Sequence, residues 1–138
     1  MIVFPTLTQI QALHDAVIEA TGGMPGLRSP EGLSGALGGV EQRLAYDDLN
    51  VPTAAALLAG RLAKAHAFAD GNKRISAAAW RLVLALNGWS TSTSPETLAR
   101  TAVAAATSGE QAYTALIPFC FPDPTMALLM AYDRREWT

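Results

Sequence analysis

The sequence predicts an all-α fold. Apolar residues recur at three- and four-residue spacing in several segments, and Gly-, Pro- or Ser-Pro-containing clusters fall between them where helices would end and restart. No alternating run is long enough for a strand. Half of the 138 residues are hydrophobic, which suffices for one core, and the length is short for two ordinary domains. The expectation is a single domain over 1–138.

The elements follow in order. Thr6 with Gln9 three residues later makes a capping-box start, and Ile10, Leu13, Val17 and Ile18 then recur at helical spacing, predicting a first helix from about Leu7 to Thr21. Gly22, Gly23, Pro25 and Gly26 stop it. Ser29-Pro30-Glu31 supplies a cap, a proline at the first helical position and an acid near the dipole, so a short second helix is expected over 30–37. Gly38 and Gly39 then end it, and residues 40–51 read as an irregular or partly helical loop. Thr53 opens a third helix whose stripe of Ala54, Leu57, Leu58, Leu62 and Ala65 delivers His66 at its end. A polar loop over 67–73 follows. From Arg74, Ile75, Ala79, Leu82, Val83 and Leu86 mark a fourth helix that stops at Asn87-Gly88. Ser94-Pro95-Glu96 caps a fifth, and Gly109 precedes a shorter sixth around Tyr113 and Leu116.

Composition narrows the function. Ten basic against twelve acidic residues give a formal net charge of -2 with no block of like charge, so direct nucleic-acid binding is not expected. Cys120 is the single cysteine and has neither a disulfide partner nor zinc-ligand spacing around it, which suits a reducing compartment. The first residues lack the basic and apolar regions of a signal peptide. Arg61 and Arg81 interrupt the most apolar stretches before the roughly 20 residues a membrane helix needs. A cytoplasmic protein without membrane association is expected.

The chemistry is concentrated in His66-Ala67-Phe68-Ala69-Asp70-Gly71-Asn72-Lys73-Arg74, five polar functional groups within nine residues between two apolar helices. Asp, Gly, Asn and Lys are also ordinary residues of a solvated turn, and composition alone leaves that reading open. The order of the residues favours a site. Histidine is the side chain whose unperturbed pKa best suits taking a proton from a hydroxyl near neutral pH. Phe68 is a plausible anchor to the core. Asp70 can hold a magnesium ion, which normally takes one or two protein carboxylates and keeps several waters. Gly71 permits positive φ or close approach of a ligand. Asn72, Lys73 and Arg74 fall at a helix start, where free amides and the dipole favour anions. Together they describe a phosphate cradle.

The pattern H-x-F-x-D-x-N-K-R, with an Ala- and Leu-rich helix before it and another after it, resembles the Fic fold family, specifically its death-on-curing (Doc) toxin branch. Leu13-His14-Asp15, Gly22-Gly23-Met24-Pro25-Gly26, Arg43 with Ala45-Tyr46-Asp47, and Asn87-Gly88 agree with that branch, so the similarity spans roughly residues 7–117. It implies a bundle of about six helices with the active-site loop between two central ones. It also implies ATP and Mg2+ as cofactors, with His66 as base, Asp70 on the metal, and Asn72 and Arg74 on phosphates.

The broader family transfers AMP to protein hydroxyls and carries H-P-F-x-D/E-G-N-G-R. This chain has Ala67 in place of the proline, Lys73 in place of the second glycine, and Ala77 where a further arginine stands. Lysine adds bulk and a point charge where glycine leaves bare amides. In the Doc branch it accompanies transfer of the γ-phosphoryl group to a translation elongation factor. His66, Asp70, Lys73 and Arg74 are therefore the expected catalytic residues, and Gly71, Asn72, Lys73 and Arg74 the expected nucleotide-binding ones. The resemblance further implies a toxin paired with an antitoxin peptide. The alternatives are adenylyl transfer by the same residues, and an inactive Fic-like module that only binds a partner.

Other residues carry weaker readings. His14 beside Asp15 could form a second dyad, although a single helical histidine is more often structural. Arg61, Lys64 and Arg81 could widen the phosphate site or lie on solvated helix faces. Arg43 to Asp48 could position a target chain or form an exposed loop. The extension from about 119 is too apolar for a disordered end, while Pro118, Pro122 and Pro124 keep a continuous helix from entering it. Packing on the domain's own core is expected over display to a partner.

Overall fold

Helix starts follow the capping residues. Thr6 accepts a hydrogen bond from the Gln9 amide while the Gln9 side chain accepts from the Thr6 amide, opening α1 (Leu7–Thr21) with a complete capping box. Ser29 caps α2 (Pro30–Tyr46), and Asn50 caps α3 (Val51–Ala65) through the Thr53 amide. α4 covers Asn72–Leu86, and Ser94 caps α5 (Pro95–Ser108). α6 (Glu110–Thr114) and a 3-10 turn (Ile117–Phe119) follow, and α7 is Pro124–Trp137. Between them lie β1 (Trp89–Thr91) and β2 (Cys120–Pro122). This computed structural model describes residues 1–137, with side chains described through 131. No helix among the described residues is long and apolar enough to cross a membrane.

Two sequence expectations are corrected in α2 and α3. α2 does not stop at Gly38-Gly39 but runs nine residues past 37 to Tyr46, taking in much of the segment read as irregular. Leu33, Leu37 and Val40 are buried along one face and compensate the roughly 1 kcal/mol that each interior glycine costs. Gly39 also has a packing reason. A Cβ there would stand 2.5 Å from Nη1 of Arg61, so the absent side chain is what lets that guanidinium lie on α2. α3, read as a single-faced amphipathic helix, is instead buried all round: residues 54–59 have no exposed surface. It is the central helix, with α2, α4, α5 and α6 packed around it. Gly60 permits the closest of these approaches, since a Cβ there would collide with the Glu110 backbone.

The face of α4 that meets α3 buries Ile75, Ala79, Trp80 and Val83. Ser76, also fully buried, donates to the Ala59 carbonyl at 2.8 Å and lies 2.6 Å from the Tyr113 hydroxyl. The serine proton is used on Ala59, so Tyr113 is the donor in that pair. This chain of hydrogen bonds joins α3, α4 and α6 at the centre of the fold.

The extension folds back on the chain. β2 pairs antiparallel with β1 in the register Trp89↔Pro122, Ser90↔Phe121 and Thr91↔Cys120, and α7 lies against α4 and β1. Asp123 caps α7 through the Thr125 and Met126 amides and accepts from the Ser90 hydroxyl at 2.7 Å. Gly88 makes room, because a Cβ there would reach Ala127 Cβ at 2.8 Å. The two short strands and the seventh α-helix are additions to the expected bundle of about six, which is otherwise the observed mostly helical architecture.

Candidate active site

The motif loop connects the two most central helices, and each of its ends is set by backbone conformation. His66 ends α3 in the left-handed region (φ 47°, ψ 43°), the only non-glycine residue among those described with positive φ. Such a conformation costs an L-residue roughly 1–2 kcal/mol and persists only where the surroundings impose it. Here Arg28 Nη2 donates to the His66 carbonyl at 2.9 Å, and the Arg28 and Ser29 amides both donate to Ala67 O at 2.8 Å. Ala69 N donates to Gly26 O, and Leu27 forms a bridge with Phe68. The glycine-rich segment after α1 is thus a strap along the loop, and the imidazole of His66 is left exposed.

Phe68 is the core anchor that its sequence position suggests, 2% exposed. Its ring stacks on His14 with centroids 3.8 Å apart and planes 13° from parallel. His14 is not part of a second dyad. It is fully buried, and its Nε2 lies 2.7 Å from the carbonyl oxygen of Asp70, to which it donates. Ile10, His14 and Ile18 share the buried face of α1 at four-residue spacing. That spacing was the signal for burial in the sequence.

Asp70 points its carboxylate between the strap and α4. Oδ2 accepts from the Met24 amide at 3.2 Å, while Oδ1 accepts from the Gly71 amide at 2.7 Å and from Arg74 Nη2 at 3.4 Å. The Met24 and Gly71 amides, with the Arg74 charge beyond them, hold this carboxyl below its ordinary pKa. A carboxylate has about four lone-pair sites, so three bonds leave roughly one free. Gly23 must lack a side chain for this arrangement, since its Cβ would stand 2.6 Å from Asp70 Oδ2. No cluster of three or more His, Cys, Asp or Glu side chains that could hold a metal occurs among the described residues. One half-exposed carboxylate beside open space suits a hydrated magnesium ion that takes its other ligands from water and phosphate, and does not suit an all-protein cage.

Gly71 (φ 75°, ψ 21°) precedes α4, and no side chain caps that helix. The first amides of α4, at Asn72, Lys73 and Arg74, therefore lack intrahelical acceptors and form an anion-favouring end. The Asn72 side chain closes the loop on itself: Oδ1 accepts from Phe68 N at 3.0 Å and Nδ2 donates to Phe68 O at 2.9 Å. Arg74 Nη1 donates to Thr21 Oγ1 at 2.5 Å and to the Gly22 carbonyl at 2.6 Å, tying α4 to the end of α1. His66, Asp70, Gly71, Asn72, Lys73 and Arg74 together line a cavity of about 310 Å3. All six sequence-selected residues thus meet in one place.

The flanking cations divide. Arg61 and Lys64 do not widen this cavity. They face another, of about 480 Å3, between α2, α3 and the α5–α6 turn, which contains no motif residue. Arg81 lines a groove of about 360 Å3 between α4 and α5, floored by Ala77, Leu98 and Ala102, whose near end is formed by Lys73 and Arg74. Lys73, exposed, stands where cavity and groove meet. Arg43 pairs with Asp47 at the end of α2, leaving Tyr46 83% exposed. The residues missed by sequence reasoning are Arg28 and Thr21, whose roles come from the strap and the α1 end folding onto the loop.

Comparison with known proteins agrees with this geometry. A family model described as Fic/DOC matches residues 4–84, which contain the strap, α1 to α3, the whole motif loop and most of α4. The chain is similar to the protein kinase doc of Escherichia phage P1, 40% identical over 102 residues that cover 72% of this chain and 79% of that protein. A helix-flanked motif loop held by an N-terminal strap, a family match over more than half the length and identity at this level establish that the chain belongs to the Fic/DOC family.

Proposed function

We infer that this protein transfers the γ-phosphoryl group of ATP to a hydroxyl of a protein, a translation elongation factor being the proposed target, and that it is the toxin of a toxin–antitoxin pair acting in the cytoplasm. The observation that carries this reading is the junction at Lys73. Lys73, exposed in the first turn of α4, lines the same cavity as the exposed His66, Asp70 and the residues whose amides are uncapped. The kinase name of the phage P1 relative supports the same chemistry.

In the proposed step the target hydroxyl oxygen forms a bond to the γ-phosphorus, the bond from that phosphorus to the β,γ-bridging oxygen breaks, and ADP leaves. His66 accepts the hydroxyl proton. Asp70 would hold Mg2+, which when bound neutralises charge on the phosphate oxygens. The amides at the start of α4 and the ammonium of Lys73 take the phosphate chain. The side-chain amide of Asn72 holds the loop through Oδ1 and one Nδ2 hydrogen on Phe68, which leaves its second Nδ2 hydrogen and its backbone N–H for a phosphate oxygen. Arg74 keeps donors beyond those used on Thr21, Gly22 and Asp70 for a phosphate oxygen. Ala77, on the groove floor, provides no guanidinium for the adenylylating pose. The whole chain acts as one domain, with the extension from 119 as a covering for α4.

The test is incubation of the purified protein with an elongation factor and γ-labelled ATP. Label should appear on the factor and be lost with His66→Ala. An elongation factor that stays unlabelled while another protein of an added cell extract takes the γ label would overturn the target. Expression alone should arrest growth, and co-expression of the neighbouring small protein should relieve it. Growth at the normal rate despite ATP binding would contradict the toxin assignment.

A further inference from the structure

Among the described residues, His14 is the one buried titratable group outside the motif that touches the motif loop. It lies on α1, more than fifty positions before Asp70, and its ring makes two distinct contacts there. Its face stacks on Phe68, and its Nε2 donates to the backbone carbonyl of Asp70 at 2.7 Å. Nδ1 is buried with no hydrogen-bond partner. The Asp70 carbonyl can only accept, so Nε2 carries the hydrogen of this contact.

The carbonyl that receives this bond belongs to the residue whose carboxylate faces the cavity. The peptide from Asp70 to Gly71 carries that carbonyl and also the Gly71 amide, which donates to Asp70 Oδ1 at 2.7 Å. Fixing one end of the peptide fixes the other. A Cβ at Gly71 would press on Ile18 Cδ1 at 3.0 Å and only touch His14 Nε2 at 3.4 Å, so it is the positive φ of 75° and the Ile18 contact that call for glycine here. We propose that His14 is a positioning residue that, through this peptide, sets the direction of the Asp70 carboxylate and of the first amides of α4. This rests on the reading of Asp70 as the magnesium-binding residue.

Two substitutions separate the contacts. His14→Phe keeps an aromatic ring against Phe68 and removes the donor, whereas His14→Gln loses the ring and places an amide N–H near the position of Nε2. ATP binding to the full chain is measured by calorimetry at graded Mg2+, beside thermal melting of each variant. Removing a group that orients a metal ligand typically weakens metal affinity by about ten- to a hundredfold. The Mg2+ needed for half-maximal ATP binding should rise by about tenfold or more in His14→Phe and stay close to the parent in His14→Gln, whichever variant melts lower. An unchanged Mg2+ requirement in His14→Phe, or an equal increase in both, overturns the proposal. If the parent binds no MgATP, the functional reading falls and the proposal is decided by hydrogen exchange at the Gly71 amide. Faster exchange in His14→Phe but not in His14→Gln upholds it, and equal rates overturn it.

Discussion

Replacing His66 by glycine should make the protein more stable and inactive. The residue sits at φ 47°, ψ 43°, where an L side chain costs roughly 1–2 kcal/mol that glycine does not incur. Against this, glycine gains freedom in the unfolded chain worth about 0.5–1 kcal/mol. The imidazole is exposed and takes no part in the core, and the Arg28 bond goes to the backbone carbonyl, which the variant keeps. The net is a gain of about 0.5–1 kcal/mol, or roughly 2–4 °C in Tm for a chain of this size. Loss of the base should lower transfer by about 10²–10⁴. His66→Ala is the control: it should lose transfer equally while melting within about 1 °C of the parent, because alanine keeps the strain. Calorimetric melting and label transfer from ATP measure the two effects. A His66→Gly variant that melts below the parent would refute the argument from strain, and one that transfers at the parental rate would refute the assignment of the base.

Gly23→Ala should destabilise the protein by about 1–2 kcal/mol and raise the Mg2+ needed for ATP binding, because φ is +115° and the new Cβ would press on Asp70 Oδ2; parental Mg2+ dependence would show that the strap does not support the carboxylate. Tyr113, whose burial pushes its pKa up from 10.0 to about 12, should make the fold sensitive to alkali. The neutral phenol is the form the folded state favours. Its contribution is therefore complete below pH 10 and declines as pH rises from 10 to about 12, by about 2–3 kcal/mol in all. Melting at pH 9 and pH 11 should show a drop in the parent that Tyr113→Phe reduces, and identical drops would remove Tyr113 as the cause.

Three helix starts were legible because their signals are local, whereas α3 and α4 each begin two residues before the Thr53 and Arg74 expected for them. Thr6, Ser29 and Ser94 cap the helices that their sequence neighbours announce. What failed depended on distant partners. Gly38-Gly39 reads as a helix stop until Arg61, twenty-two positions after Gly39, is found lying on it. β1 and β2 are three residues each and too short to show alternation; their pairing joins segments about thirty residues apart. Asp123-Pro124 carries a cap-and-proline signature, so the last of the three prolines opens α7 and does not break it. That the six motif residues line one cavity was legible because they stand within one short stretch of sequence. Their individual tasks were less so. Nothing in the sequence shows that the Asn72 amide turns back to Phe68, or that Arg74 reaches Thr21 and Gly22. Such bonds arise only once α1 and the strap are folded against the loop.

Which phosphate lies beside His66 determines what is transferred, and Lys73 is the residue proposed to decide it. Transfer from ATP labelled separately at the α and γ positions, by the parent and by Lys73→Gly side by side, tests this most directly. The parent should transfer γ label alone, and Lys73→Gly should lose most of that transfer. A parent that transfers α label alone would contradict phosphoryl transfer and make the protein an adenylyltransferase.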